Sequence, residues 1–253
     1  MQRNSVIVAA KRTPIGAFQG QLSPLSASDL GALVIKQVLI DAKIQPDYVD
    51  EVIMGNVLSA GQGQAPARQA TIKSGCPNTI ESLTINKMCG SGLKAVMLAD
   101  QAIKSADADV IIAGGMESMT NSPYLIQDAR SGKRLGHGKL IDSMIHDGLW
   151  DAYNDKHMGN CAEMLAAERN YSRQSQDNYA IESYNKSISA INNKIFSTEI
   201  VPVEINQRKG DSILVEDDEE PGRVKFDKIT KLRPAFANDG TITAANASKL
   251  NDG

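Results

Sequence analysis

Residues 83–103, LTINKMCGSGLKAVMLADQAI, change from an apolar strand pattern to a helical pattern within a few positions. Leu83 to Ile85 is predicted to form a short buried strand. Apolar residues then recur at helical spacing and predict a helix: Leu93, Val96, Met97 and Ile103. The polar and glycine-containing residues in between form a strand-to-helix turn, and Cys89 lies in that turn.

Cys89 is expected at or just before the N-terminus of this helix. Unpaired backbone N–H groups and the positive end of the helix dipole favour a thiolate there over a thiol. Gly90 and Gly92 allow backbone and substrate to approach the sulfur closely. The alternative is a structural role, because a free cysteine usually packs as a small hydrophobic residue. Cys89 is therefore a candidate nucleophile with a competing role in the core.

The same turn also matches a dinucleotide-binding pattern. Gly90, Gly92 and Ala95 fit GxGxxA between a predicted strand and a helix, and a further strand is predicted over residues 110–113. The acidic residue that would bind the ribose should close that further strand, but Glu117 comes only after two glycines. The cofactor interpretation is therefore the weaker of the two.

Composition restricts the class of protein. The 253 residues are 42% hydrophobic and 23% charged, which is typical of soluble globular proteins with one large or two modest domains. The net charge of −3 provides no global basic field for nucleic acid or an anionic membrane. No apolar run approaches the roughly 20 residues that span a bilayer, and no secretory segment precedes the first predicted strand. We expect a cytoplasmic protein that binds neither nucleic acid nor membranes.

The cysteine content excludes two kinds of site. Cys76, Cys89 and Cys161 are odd in number and widely spaced. This spacing fits neither a disulfide framework nor a zinc site. We expect three free thiols and no metal centre.

Strand and helix signals alternate over the first part of the chain. Strands are predicted over residues 5–10, 51–57, 83–85 and 109–113, and helices over residues 29–42, 65–74 and the stretch after Cys89. This alternation predicts a layered α/β domain, over residues 1–120, with a central mixed, largely parallel sheet and helices on both faces.

The character of the chain changes after residue 120. Residues 121–150 are rich in glycine, serine and charge, and are too long for a simple connection. Predicted next are helices over 158–170 and 173–193, the second capped by Ser172, and a strand over 200–205. The acidic run 216–220 is interpreted as a solvated loop. We place an inserted α+β loop domain at residues 121–246 and a truncated return to the first domain at 247–253, because TITAANASKLNDG ends without a closing element.

Several segments, in order along the chain, resemble those of thiolases. They are VIVAAKRTPIGAFQG (6–20), NKMCGSGLKAV (86–96), GGMESMTNSPY (114–124), DGLWDAYNDKHMGNCAEMLA (147–166), KLRPAF (231–236) and DGTITAANASKLNDG (239–253). The resemblance extends from Val6 to Gly253. It is closest to the short-chain biosynthetic type, acetyl-CoA acetyltransferase, on the segment KHMG at 156–159 and the loop 122–142.

The resemblance implies a reaction and removes the dinucleotide interpretation. Cys89 is implied to carry an acetyl thioester, with its own backbone N–H as an oxyanion donor. The implied reaction is the reversible Claisen condensation of two acetyl-CoA molecules to acetoacetyl-CoA and CoA. Coenzyme A is then a substrate, and no permanently bound cofactor is expected.

The resemblance also implies residues that contact coenzyme A. Ser248 matches a serine on the pantetheine arm, and Ala244 lines the same tunnel. Leu232 and Phe236 match apolar residues of the site, while His157 and Met158 lie near the acyl end, where Met158 limits chain length. Arg223 is the candidate for an arginine near the adenine ring, although Pro221 occupies the closest aligned place.

Thiolases have parts that this sequence lacks. These are a histidine in a GHP segment, an activating asparagine and a second catalytic cysteine, and GHG at 136–138 lies in the wrong context to replace them. We expect a complementing C-terminal thiolase domain, an exposed apolar face on the isolated chain, and a homo-oligomer, dimer or tetramer, that uses the loop 122–142. The alternatives are a non-catalytic CoA-binding or assembly fragment and a degradative 3-ketoacyl-CoA thiolase.

Overall fold

The structure, a computed structural model, describes residues 3–253 as a parallel sheet with flanking helices, followed by a region of helices and short hairpins. The strands are β1 (Gly16–Ala17), β2 (Glu51–Gly55), β3 (Glu81–Ile85), β4 (Ile111–Gly115), β5 (Tyr124–Leu125), β6 (Ile141–Asp142), β7 (Trp150–Asp151), β8 (Lys156–His157), β9 (Val203–Ile205), β10 (Ile213–Val215) and β11 (Asn251–Asp252). The helices are α1 (Ala27–Ala42), α2 (Pro66–Lys73), α3 (Ser91–Ser105), α4 (Met158–Glu168), α5 (Arg173–Asn192), α6 (Glu219–Arg223) and α7 (Phe226–Ile229). A 3₁₀ turn, Pro46–Tyr48, and a π-helical turn, Met144–Leu149, complete the elements.

The central sheet has the strand order β3-β2-β4, and all three strands are parallel. Alternate side chains of β2 point to opposite faces of the sheet. Val52 and Met54 belong to the core formed with α1 and α2, whereas Gly55 lies against the first turn of α3. The predicted α/β architecture, with a parallel sheet and helices on both faces, is confirmed.

Helices α1 and α2 cover one face of the sheet. A capping box between Ser26 and Asp29 starts α1, two residues earlier than predicted. Its buried side chains include Leu30, Ile35 and Leu39. Apolar periodicity therefore located this helix well, and α2 lies within the predicted range 65–74.

Helix α3 covers the other face, but not with its large apolar residues. Ala95 and Ala99 are buried against the sheet, whereas Leu93 is 69% exposed. Strand β3 is an edge strand with Leu83 exposed, so the prediction of a buried strand was wrong in burial though right in type. Small residues face the sheet because α3 approaches it closely, with Gly92 next to Gly115.

The strand predicted over residues 5–10 is not formed. Val6, Ile7 and Val8 are exposed, and the segment makes no β-ladder within the described part of the chain. A cavity of about 730 Å³ separates this segment from β4, and α1 and α3 also line it. An extended segment becomes a strand only when a neighbouring backbone pairs with it, and sequence pattern does not reveal where that neighbour lies.

A second, smaller hydrophobic core lies around the hairpin of β9 and β10. Strands β9 and β10 form an antiparallel hairpin whose buried side chains pack with Leu22 and Leu30: Val203, Ile205 and Val215. Ser172 caps α5 as predicted, accepting a hydrogen bond from the Ser175 backbone N–H at 3.1 Å. The predicted strand 200–205 is shortened to 203–205.

The interpretation of the acidic run 216–220 as a solvated loop holds only in part, because Glu216 and Asp217 are exposed whereas Asp218 and Glu219 bind to other segments. Asp218 accepts hydrogen bonds from Arg12 at 2.7 Å and from the Ile15 backbone N–H at 2.8 Å. Glu219 accepts from the backbone N–H groups of Ala17 and Gln21. These carboxylates attach α6 to the N-terminal segment about 200 residues earlier, and a charge run does not reveal such partners.

The last residues return to the first region. Strand β11 pairs antiparallel with β1. Asp252 is fully buried and accepts from the backbone N–H and the hydroxyl of Thr120, at 2.9 and 2.6 Å. Gly253 exchanges two backbone hydrogen bonds with Glu117, at 2.8 and 2.9 Å. The helices of the described chain include none that is both long and apolar enough to cross a membrane.

Candidate active site

Cys89 lies in a tight turn between β3 and α3. Gly90 is the N-cap of α3, so Cys89 precedes the helix by two residues, as the sequence predicts. The preceding residue, Met88, has φ +47°, a left-handed conformation that is uncommon for a residue with a side chain. The Ser91 hydroxyl donates to the Met88 carbonyl at 2.6 Å and accepts from the Lys87 N–H at 2.9 Å. These bonds close the turn around the cysteine.

The three cysteines differ in exposure. Cys76 is buried, Cys161 is partly buried and Cys89 is exposed, and all three are free thiols as expected. Packing as a small hydrophobic residue therefore does not explain Cys89. Its exposure satisfies the first requirement of a nucleophile, which is access for a substrate.

A cavity of about 300 Å³ lies beside Cys89. Its walls are residues 55–58, 88–89, 91–92, 115–117 and 119, 148–149, and Gly253. Residues 55–58 and 115–117 are the carboxyl ends of β2 and β4 and the loops that follow. Ligand sites of parallel α/β sheets lie at this edge.

Glu117 places a carboxylate in the wall of this cavity. Burial raises its pKa, and three hydrogen bonds to the carboxylate act in the opposite direction. Sequence reasoning considered Glu117 only as a ribose ligand and missed this position. The available signal was its place two residues after the pair of glycines into which the predicted strand 109–113 runs.

His157 and Phe236, both predicted to contact coenzyme A, are brought together. Their rings stack with centroids 5.0 Å apart, and Trp150 packs edge-on against His157 at 6.5 Å. His157 also caps α4, because its Nδ1 accepts from the Gly159 backbone N–H at 2.9 Å. Met158 follows at the start of α4 and is partly exposed.

Helix α5 binds two segments that carry predicted coenzyme A contacts, one at Leu232 and one at Asn246. Arg173 donates to the carbonyl of Leu232 at 3.0 Å and to Asp177 at 2.7 Å. Asn246 in turn donates to Asp177 at 2.9 Å, which fixes the segment that presents Ala244 and Ser248 on the surface. Arg223 pairs instead with Glu219 at 3.3 Å on α6.

The aromatic cluster and the cysteine cavity adjoin. Leu149 lines the cavity beside Cys89, and the next residue, Trp150, packs on His157. A ligand that extends from the cysteine past Leu149 therefore meets the aromatic cluster.

An exposed thiol at a strand-to-helix turn, at the carboxyl edge of a parallel sheet, defines an α/β domain with a candidate cysteine nucleophile. Comparison with known families is more specific. The family described as "Thiolase, N-terminal domain" matches residues 5–253, and the chain belongs to the thiolase family.

Curated relatives share about half of the aligned residues with this chain. An acetyl-CoA acetyltransferase of Pseudomonas aeruginosa is 51% identical over 98% of the chain. Probable acetyl-CoA acyltransferases of Staphylococcus aureus, strains COL and MRSA252, are 49% and 48% identical over the same share. The chain spans 63% of the length of each of these relatives.

Proposed function

We propose that this chain supplies the nucleophile of an acetyl-CoA C-acetyltransferase, which condenses two acetyl-CoA molecules to acetoacetyl-CoA and CoA. The observation that carries the proposal is the exposed Cys89 thiol, held beside a cavity at the carboxyl edge of the parallel sheet. The names of the three relatives, all acetyl-CoA acetyltransferases or acyltransferases, support the choice of substrate.

The proposed reaction has two steps. In the first, the Cys89 sulfur attacks the thioester carbon of acetyl-CoA, the new S–C bond forms, and the bond to the CoA sulfur breaks. The departing CoA thiolate takes up the proton that Cys89 released. In the second, another acetyl-CoA loses a methyl proton to a base, its carbon forms a C–C bond to the acetyl group, and the Cys89 thiolate is released. The Cys89 backbone N–H is the proposed donor to the developing oxyanion.

The proposed CoA site extends from the cysteine cavity across the second region of the chain. His157 and Phe236 offer a stacked apolar surface to the acyl and pantetheine end, with Met158 limiting chain length. Ala244 and Ser248 are the proposed contacts of the pantetheine arm, and Leu232 is a proposed apolar contact of the same site. Arg223 is the proposed partner of the adenine end. In this arrangement residues 1–120 carry the nucleophile and residues 121–246 carry most of the CoA surface.

The proposed enzyme needs a base and a general acid that this sequence does not supply. We propose that a C-terminal thiolase domain provides them and that the enzyme is a homo-oligomer. The match covers 63% of the Pseudomonas aeruginosa relative, and the rest of that relative supports the proposal of a further domain. The exposed apolar side chains of residues 6–8 and of α3 support it too, because such surfaces are usually covered by a partner.

Intact-mass spectrometry after incubation with acetoacetyl-CoA tests the nucleophile. Because the isolated chain lacks the proposed base and acid and is expected to be incomplete or inactive, we expect one acetyl adduct only when a C-terminal thiolase domain is added. Under the same conditions we expect no adduct on Cys89→Ser and an unchanged adduct on Cys161→Ser, the matched control at a partly buried thiol. An adduct that persists in Cys89→Ser would contradict the assignment.

The same samples separate the alternatives. CoA binding without an adduct, in a folded chain, would support the non-catalytic CoA-binding fragment. If an adduct forms, a series of 3-ketoacyl-CoA substrates of increasing length separates the short-chain enzyme from the degradative one. We expect acetoacetyl-CoA to react fastest, and faster reaction with medium chains would favour the degradative thiolase.

A further inference from the structure

Glu117 fastens the loop after β2 to the end of β4. Its Oε2 accepts from the Val57 backbone N–H at 2.8 Å. Its Oε1 accepts from the Asn56 side chain at 2.8 Å and from the Leu58 backbone N–H at 3.3 Å. All three donors come from residues 56–58, which line the cavity beside Cys89. Both carboxylate oxygens are therefore engaged in holding one wall of that cavity.

We propose that Glu117 is a positioning residue for Cys89 and acts through the loop 56–58 and the side chain of Asn86. This inference rests on the proposed role of Cys89 as the nucleophile. The hydrogen bonds between these residues form a continuous path to the turn that presents the thiol.

The path runs from the fastened loop to the strained residue. The Val57 backbone carbonyl accepts from the Asn86 Nδ2 at 3.4 Å, and the Asn86 Oδ1 accepts from the Met88 backbone N–H at 2.9 Å. Met88 has φ +47°, a conformation that persists only when surrounding contacts hold it. Asn86 is one of these contacts, and Val57 fixes the orientation of its amide. Releasing Val57 is therefore expected to loosen the turn at Met88 and to reorient Cys89.

The Glu117 backbone also binds a second residue of the cavity wall, Gly253. The two residues exchange backbone hydrogen bonds, and Gly253 lines the cavity together with Cys89. One residue thus connects the loop 56–58, the end of β4 and the last residue of the chain.

Glutamine is an informative replacement because it has nearly the same shape. Both carboxylate oxygens of Glu117 accept from N–H groups of residues 56–58. In the glutamine variant one of these oxygens becomes an NH₂ group, which is a donor. At least one of the hydrogen bonds to residues 56–58 is therefore lost. Glu219→Gln is the matched control. That carboxylate also accepts from two backbone N–H groups, those of Ala17 and Gln21, and its side chain is 15% exposed.

Two measurements on the full 253-residue chain test the proposal. In Glu117→Gln we expect iodoacetamide to alkylate Cys89 more slowly by about tenfold, relative to Cys161 in the same molecule, and amide exchange at Val57 and Met88 to accelerate by a similar factor. In Glu219→Gln we expect both readouts near Cys89 to stay unchanged. Removing a negative charge alone would favour the thiolate and speed alkylation. Slower alkylation of Cys89 would therefore indicate that Glu117 positions the thiol. An unchanged or faster alkylation rate at Cys89 would overturn the proposal.

If Glu117→Gln unfolds, the buried Cys76 should react with iodoacetamide, and a second variant then tests the path. Asn86 is exposed, so Asn86→Ala should fold, and we expect it to slow Cys89 alkylation while exchange at Leu58 stays unchanged. An unchanged Cys89 rate in Asn86→Ala would overturn the proposed path. If both variants fold, the double variant should react no more slowly than the slower single one, and additive effects would likewise contradict the path. These measurements use no coenzyme A, so they are independent of whether Cys89 becomes acetylated.

Discussion

Gly55 is the point at which the sheet touches the helix behind the cysteine. A Cβ atom there would lie 2.5 Å from the Ser91 Cβ and 2.7 Å from the Gly92 backbone nitrogen. Atoms of the helix backbone cannot rotate away as a side chain can. The close approach of β2 and α3 therefore depends on the absence of one methyl group.

We predict that Gly55→Ala lowers the free energy of unfolding by about 2 kcal/mol or more, because α3 must move away from the sheet. Urea denaturation measures the change. Gly222→Ala is the control, since its Cβ meets no atom within 4 Å, and we expect an effect within about 1 kcal/mol. Equal stability of Gly55→Ala and the parent chain would mean that the contact between β2 and α3 tolerates a side chain.

Among the elements, α5 has an organising role that its weak amphipathic pattern does not suggest. Asp177 is 2% exposed and accepts from Arg173 on the same helix and from Asn246. Arg173 also donates to the carbonyls of Ile229 and Leu232. One pair of side chains on α5 thus fixes two of the segments that carry proposed CoA contacts.

We predict that Asp177→Ala lowers the free energy of unfolding by about 2–4 kcal/mol, because Arg173 and Asn246 lose their partner. If the proposed CoA site is right, CoA binding in the folded variant should also weaken. Thermal denaturation and calorimetric titration with CoA measure the two effects. Gln174→Ala, which removes an exposed i,i+4 hydrogen bond to Asn178 on the same helix, should change neither by more than a small amount.

Strands β2 and β3 place two carboxylates side by side, since Glu51 and Glu81 are register partners. Burial and, to a lesser extent, the neighbouring Glu81 raise the pKa of Glu51. A carboxyl whose folded pKa exceeds its unfolded pKa favours the folded state while protonated. Its contribution is therefore lost as pH rises from below the unfolded pKa to above the folded pKa.

We predict that Glu51→Gln is more stable than the parent chain at neutral pH and that the difference vanishes near pH 3, where both carboxyls are protonated. Melting temperatures across this range measure the effect. Glu182→Gln is the control of opposite sign, because a hydrogen bond and charge interaction with Lys186 lower the pKa of Glu182. A loss of stability in Glu51→Gln at neutral pH would contradict the argument.

At the scale of the whole molecule, apolar surface stays uncovered on several sides. Val6, Ile7 and Val8 face solvent, and the cavity of about 730 Å³ beside them is bordered by β4 and α3. Leu93 and Met97 on α3 are exposed as well. Clusters of exposed apolar side chains are typical of surfaces that a partner covers.

We predict that the chain alone binds a hydrophobic dye such as anilinonaphthalene sulfonate. The remaining C-terminal part of the Pseudomonas aeruginosa relative, produced separately, should bind the chain and reduce dye fluorescence, because it would cover the apolar faces. Analytical ultracentrifugation of the mixture should show the complex, with albumin as the control protein. A well-folded monomer that binds no dye would contradict both the exposed face and the proposed assembly.

Local sequence was sufficient for the order and type of the elements around Cys89. The strand before it, the helix after it and the cap at Ser172 all depend on groups within a few residues of one another. The thiolase segments extended this local information to the family, because each segment keeps its own motif.

The burial of these elements and the surroundings of Cys89 depend on contacts between residues that are far apart in the sequence. Residues 5–10 have a strand pattern but pair with no strand of the described chain, and α3 buries Ala95 and Ala99 rather than Leu93. Glu117 finds its partners about 60 residues earlier in the chain, and Asp218 about 200. Strand pairing, burial and such hydrogen bonds depend on groups that folding brings together, so only the three-dimensional arrangement specifies them.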